Sequence, residues 1–260
     1  IIRIGGDSLG EKHILVYHRD EAIEAMLKKR GWGGEIIRGE KGGYLAAINS
    51  NINGYKTDAV IKESIRLETS VEEDGTVTDT LTVNRKHLGG DAAYDWYNRV
   101  NADYMRVYVP KGSVLLEASG NTVEEYSAPI DYSAFKTDPD IKAIEDTIRI
   151  DPESGTQVFE EAGKTVFGNW AYVSPKEEVT VVYKYRLPFK IDFASWSENA
   201  DAYSALVQKQ AGAFGSDFEA RIRFPEKWRT AWKTANMADG NTWKGKLEKD
   251  MIYGMVFAKE

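Results

Sequence analysis

Gly6-Asp7-Ser8-Leu9-Gly10 is the first stretch whose residue types could carry a reaction: a serine in the Gly-x-Ser-x-Gly spacing that presents a nucleophile on a sharp turn. Such a serine attacks only when a base takes its proton. The chain has three histidines, His13, His18 and His87, and none follows residue 87. His13 and His18 flank a predicted strand with no evident acidic orienter. The pentapeptide therefore reads as a loop of small residues before a strand, and no catalytic residue is assigned.

Asn49-Ser50-Asn51-Ile52-Asn53-Gly54 has side-chain oxygens at alternate positions and a glycine at the bend, like the first half of a calcium loop. The second half fails. Val60 stands where a bidentate glutamate is needed, and Lys56 adds a positive charge inside the loop. The plainer reading is a turn whose asparagines satisfy local backbone groups, with Asn53-Gly54 left-handed. No metal site is assigned. Carboxylate pairs of the glycosidase kind are not placed either: Glu160 and Glu161 are adjacent in a predicted strand and point to opposite faces, and Glu72, Glu73 and Asp74 cap a predicted hairpin. With no cysteine, thiol nucleophiles, disulfides and thiolate metal sites are excluded, and no cofactor is expected.

Aromatic residues are the remaining chemical resource, with seven Trp, fourteen Tyr and nine Phe in 260 residues. Tyr104, Arg106 and Tyr108 alternate with Met105, Val107 and Val109. That polar-aromatic face suits stacking on a sugar or peptide, but such a stripe is more often cross-strand packing or an inter-sheet contact. Trp228, Trp232 and Trp243 raise the same question, with packing the favoured answer. Charge points away from nucleic acid, because 34 basic against 41 acidic residues leave a net −7.

The elements that must position these residues are mostly strands. Lys12–Tyr17 is an apolar run of strand length, followed by a short helix with Asp20 as its N-cap, apolar Ile23, Met26 and Leu27, and a stop at Gly31. Glu35–Ile37 and Tyr44–Ile48 read as short strands, so residues 1–57 form a small mixed α/β segment. From residue 58 to 260 the period is largely two, which predicts an antiparallel β-sandwich in a mainly β, α+β chain. Strands are expected at 62–71, 77–83, 104–109, 114–118, 156–161, 165–173, 179–187, 202–210, 218–224 and 251–258, with Pro188 ending the seventh. Residues 228–237 are expected as a short helix or irregular edge. Parity sets the first hairpin: a three-residue loop Glu73-Asp74-Gly75, with Gly75 left-handed, pairs Val71 with Val77 and Leu67 with Leu81. Residues 121–150, with a weak helix at 138–146, form an irregular excursion placed over one sheet face.

Five strings resemble the C-terminal half of the uncharacterised bacterial family DUF 4012: Gly31-Trp32-Gly33-Gly34, the run from Asn49 to Asp58, the run from Arg106 to Ser113, Gly163-Lys164-Thr165-Val166-Phe167 and Gln208-Lys209-Gln210-Ala211-Gly212. The likeness spans about residues 12 to 212 in order. The family's N-terminal Asn-x-x-Glu-x-Arg and Gly-Gly-Phe hallmarks are absent, and the chain begins Ile1-Ile2 without Met, so an excised part of a longer chain is expected. The resemblance implies a membrane-anchored parent with this region outside the cytoplasmic membrane, and it implies no reaction. It marks Asn51, Asn53, Lys56, Asp58, Arg106 and Tyr108, to which the aromatic face adds Tyr104.

The expectation is a non-enzymatic extracytoplasmic binding or scaffolding module of a bacterial cell envelope, with an envelope glycan or protein as partner. The fragment itself has no apolar run long enough to span a membrane. An accessory or catalytic domain of an envelope polysaccharide-processing enzyme is the alternative, and self-association through an edge strand is a third. The binding reading asks that Asn51, Lys56, Asp58 and Arg106 line one wall.

Overall fold

The computed structural model describes residues 2–38, 42–123, 130–193, 199–237 and 240–259. Short helices α1 (Ile2–Gly10) and α2 (Glu21–Lys29) precede the strands. The strands are β1 (Gly43–Ile48), β2 (Ile61–Val71), β3 (Thr76–His87), β4 (Asn101–Pro110) and β5 (Val114–Ser119), followed by helix α3 (Pro139–Glu145). Then come β6 (Arg149–Ile150), β7 (Gln157–Glu161), β8 (Lys164–Val173), β9 (Glu178–Lys190) and β10 (Ala200–Val207). The chain ends with β11 (Ser216–Arg223), β12 (Trp228–Lys233), β13 (Thr242–Leu247) and β14 (Met251–Lys259). One sheet has the order β12-β14-β10-β1-β4-β8-β7-β6, the other β13-β11-β2-β3-β9-β5.

The molecule is a mainly β sandwich, as period-two burial requires. Pairing is mostly antiparallel, with one parallel pair in each sheet, β1 with β10 and β2 with β11. Leu45, Val107 and Phe167 of the larger sheet meet Leu67, Leu81 and Tyr183 of the smaller in a shared core. β1, which falls within residues 1–57, is hydrogen-bonded in the middle of the larger sheet, between β10 and β4. No helix among the described residues is long and apolar enough to cross a membrane.

The β2–β3 hairpin has the expected register, Val71 opposite Val77 and Leu67 opposite Leu81. Glu72 donates its N–H to Thr76 O at 2.8 Å, Gly75 donates to Glu72 O at 2.9 Å, and Gly75 sits at φ +81°. Inward-facing positions on β3 are Val77, Asp79, Leu81, Val83, Arg85 and His87, all buried.

Several local expectations differ from the structure. Gly6–Gly10 lies in α1, not in a loop, and Lys12–Tyr17 is not a strand: Lys12 is left-handed at φ +58°, and Ile14, Leu15 and Tyr17 are exposed with no sheet to join. Glu35–Ile37 is also irregular. β9 runs through Pro188 because a register shift, Thr76 opposite Lys190 but Thr78 opposite Arg186, places the proline in a bulge where its missing N–H costs no ladder bond. Residues 228–233 form the edge strand β12, and β13 was not foreseen. In the excursion, whose residues 124–129 lie outside the described residues, Asp138 caps α3, and Ile144 and Ile148 pack on Tyr44, Ala46, Tyr108, Phe159 and Val166 of the larger sheet's outer face.

Candidate binding site

The asparagine-rich loop is a turn that holds itself together. Asn51 Nδ2 donates to Gly54 O at 2.8 Å and to Thr57 Oγ1 at 3.0 Å, and the left-handed residues are Gly54 and Tyr55 rather than Asn53. Asn53 Nδ2 reaches Val100 O at 3.4 Å, and Lys56 is exposed. Asp58 Oδ1 accepts from Asn101 Nδ2 at 2.8 Å, which ties the loop to the start of β4.

Tyr104, Arg106 and Tyr108 lie elsewhere, on the outer face of the larger sheet. The Tyr104 hydroxyl donates to Gln157 Oε1 at 2.7 Å, and its ring meets Trp170 edge-on at 5.0 Å. Arg106 lies 3.4 Å from Glu161 Oε2, which also accepts from the buried Tyr108 hydroxyl. Burial and the Glu161 carboxylate push the Tyr108 phenol well above its usual range. Asn51, Lys56, Asp58 and Arg106 therefore do not share a wall. Arg106 is held on the outer face by Glu161, while only Asp58 of the four lines a cavity with other polar groups.

That cavity, of about 380 Å³, opens between the sheets near the ends of β1 and β3. Behind it lies a charge cluster built on Arg85. Its Nη1 is 2.8 Å from Asp103 Oδ2 and donates to Asn101 Oδ1 at 3.1 Å; Nε is 3.5 Å from Glu63 Oε2, and Nη2 is 3.8 Å from Asp58 Oδ1. Arg85 and Asp103 are both buried. Burial pushes the Asp103 carboxyl up to about 7 although the guanidinium beside it pulls the other way.

Glu63 accepts from Asn49 Nδ2 at 2.5 Å and from Ser216 Oγ at 2.6 Å. Gln210 clasps the Asn49 backbone, accepting from its N–H and donating to its carbonyl, both at 2.9 Å. These side chains fix one another. What the cavity leaves open is Asp58, mostly exposed, and Phe214, which is 82% exposed. Two carboxylates lining the cavity, Asp58 and Glu63, beside one guanidinium favour a polyhydroxyl or cationic ligand over an anion, and an exposed ring beside them supplies a stacking surface.

His87, the last histidine of the chain, is structural. Its Nδ1 accepts from Gly89 N–H at 3.0 Å, so Nε2 carries the proton toward Arg99 O, 2.8 Å away. Ser8 sits inside α1 rather than on a strand-to-helix elbow. Sequence reasoning passed over Arg85, Asp103 and Glu63. A signal existed for all three: Arg85 shares the parity of Leu81 and Val83, Asp103 that of Met105 and Val107, and Glu63 that of Ile65 and Leu67, which marks them as inward-facing charges.

No family model matches the chain, and no curated protein matches it. Among solved structures it is similar to the M1 zinc metallopeptidase of Deinococcus radiodurans, with 10% identity and a TM-score of 0.33 over 76% of this chain and 42% of the peptidase. It is also similar to a putative nutrient binding protein of Legionella pneumophila, with 9% identity and a TM-score of 0.33 over 84% of this chain and 73% of that one. The chain spans less than half the length of the peptidase. Scores this low carry no argument about function.

Proposed function

We propose that this chain holds a partner rather than making or breaking bonds, as a binding or scaffolding module of a bacterial cell envelope, and that the partner is an envelope glycan. The observation that carries this reading is the committed state of the cavity wall. Glu63, Ser216, Asn49 and Gln210 are bonded to one another, and Phe214 stands exposed at the rim. The bonded wall holds in place the two groups left open, the Asp58 carboxylate, which can accept from a sugar hydroxyl, and the Phe214 ring, on which a sugar's C–H face can stack. The envelope setting and the membrane-anchored parent rest on the resemblance to DUF 4012.

Cosedimentation with purified peptidoglycan and with envelope polysaccharide tests the reading. The wild-type chain is expected to be retained, and Phe214→Ala to bind about tenfold more weakly, the weight of one aromatic contact. Failure of the wild type to sediment with any polymer contradicts it. The polysaccharide-processing alternative has one observation in its favour, a carboxyl at Asp103 that titrates near neutrality as a general acid must. Asp103 is fully buried and does not line the cavity, which favours the binding reading. Release of new reducing ends in the same assay would decide for the enzyme.

A further inference from the structure

β1 runs from the Arg85 cavity to a second cavity at its other end, of about 460 Å³, lined by Tyr44, Lys164, Pro188, Phe189, Ser204 and Ile252 among others. Lys164 opens β8 and is 1% exposed. Among the described residues its ammonium makes no hydrogen bond and no ion pair. Its one specific contact is the Tyr44 ring, whose centroid lies 3.9 Å away. The ring is itself fixed, because the Tyr44 hydroxyl donates to Gln208 Oε1 at 2.6 Å.

A buried ammonium without a counterion is costly, and a ring face offsets only part of that cost. Burial accordingly holds the Lys164 amine below the ordinary lysine range. Among the described residues no carboxylate side chain lines this cavity. Lys111 also lines it, its ammonium held by Glu160 at 2.8 Å, and the Ser204 hydroxyl is a further donor beside the apolar side chains. An unpaired buried ammonium, a hydroxyl and the apolar side chains of Pro188, Phe189 and Ile252 define a complementary ligand, with the paired Lys111 at the edge.

We propose that this cavity binds a small carboxylate with a short apolar tail, the carboxylate on the Lys164 ammonium and the tail against Pro188, Phe189 and Ile252. The ligand supplies the missing counterion and removes apolar surface from water at the same time. This site is independent of the glycan reading, since it shares no lining residue with the Arg85 cavity.

Isothermal titration of the full chain with hexanoate, hexanol and inorganic phosphate tests it. Hexanoate is expected to bind saturably, with hexanol and phosphate each weaker by about tenfold or more, as loss of one charge contact or of the tail implies. Lys164→Met is expected to weaken hexanoate by about tenfold or more, while Lys142→Met, at an exposed pair with Asp146, leaves it unchanged. Because Met removes a buried unpaired charge at similar volume, thermal melting of Lys164→Met is expected to be no lower than wild type. Equal binding of hexanoate and hexanol, tighter binding of phosphate, or no saturable hexanoate binding overturns the proposal, and none of these comparisons needs a variant.

Discussion

Asp79 sits on β3 between Val77 and Leu81, wholly buried between the sheets, and accepts from Thr69 Oγ1 at 2.6 Å. Tyr185 and Tyr253 stand close enough to feel its charge, but their hydroxyls make no hydrogen bond of ordinary geometry. Burial pushes the Asp79 carboxyl from 3.8 up to about 7. The folded chain therefore keeps a proton that the unfolded chain has lost across that window. The resulting stability is complete below pH 4 and is lost as pH rises through 7, a linkage on the order of 4 kcal/mol. Asp103 acts in the same direction. Urea melts at pH 5 and pH 8 are expected to show the wild type less stable at the higher pH, and Asp79→Asn to shrink the difference without abolishing it. An unchanged difference contradicts the burial of this carboxyl. Arg85 gives a second check: Arg85→Leu strands the Asp103 charge and is expected to cost about 3–5 kcal/mol, while the double substitution with Asp103→Leu costs less. Equal costs in denaturant melts would dissolve the pair.

At the level of elements, the β2–β3 turn shows how much a short stretch can specify. A two-residue loop would have set Val71 against a threonine, so the side-chain period alone demanded the three-residue turn that the structure has. A Cβ on Gly75 would lie 2.1 Å from Ile191 O, at a φ that L residues rarely adopt. Gly75→Ala is expected to lower stability by about 1–3 kcal/mol in thermal or urea melts; a neutral result contradicts the closeness of Ile191. Where sequence reading fell short, the missing fact was always a partner. Lys12–Tyr17 is strand-like in composition but has no edge to pair with. Pro188 forbids a ladder bond, but only the register against β3 shows that none is required there. β13 carries Lys244 and Lys246 on an edge, a polar pattern that weakens its own signal and protects the sheet from another copy.

Across the whole molecule, β1 links the two cavities, one framed by acids and amides and one holding a lone buried lysine. Asp79, Arg85 and Asp103 share the parity of buried neighbours, a signal the sequence reading did not use, and parity could not say that Asp103 meets Arg85 while Asp79 stays apart. Of the positions marked from sequence, Asp58 alone lines the Arg85 cavity, and Tyr104, Arg106 and Tyr108 lie on the opposite face of the sheet, held by Gln157, Glu161 and the Ile144–Ile148 cover over Tyr108. Phe214 had no signal at all, since exposure beside a polar wall is a property of three dimensions.

The most direct measurement is titration of the full chain with soluble glycan oligomers, followed by mass spectrometry of the recovered ligand. Holding without cleavage requires saturable binding, about tenfold weaker in Phe214→Ala, and oligomers of unchanged mass after long incubation. Shortened oligomers, or equal affinity in the two proteins, would contradict it.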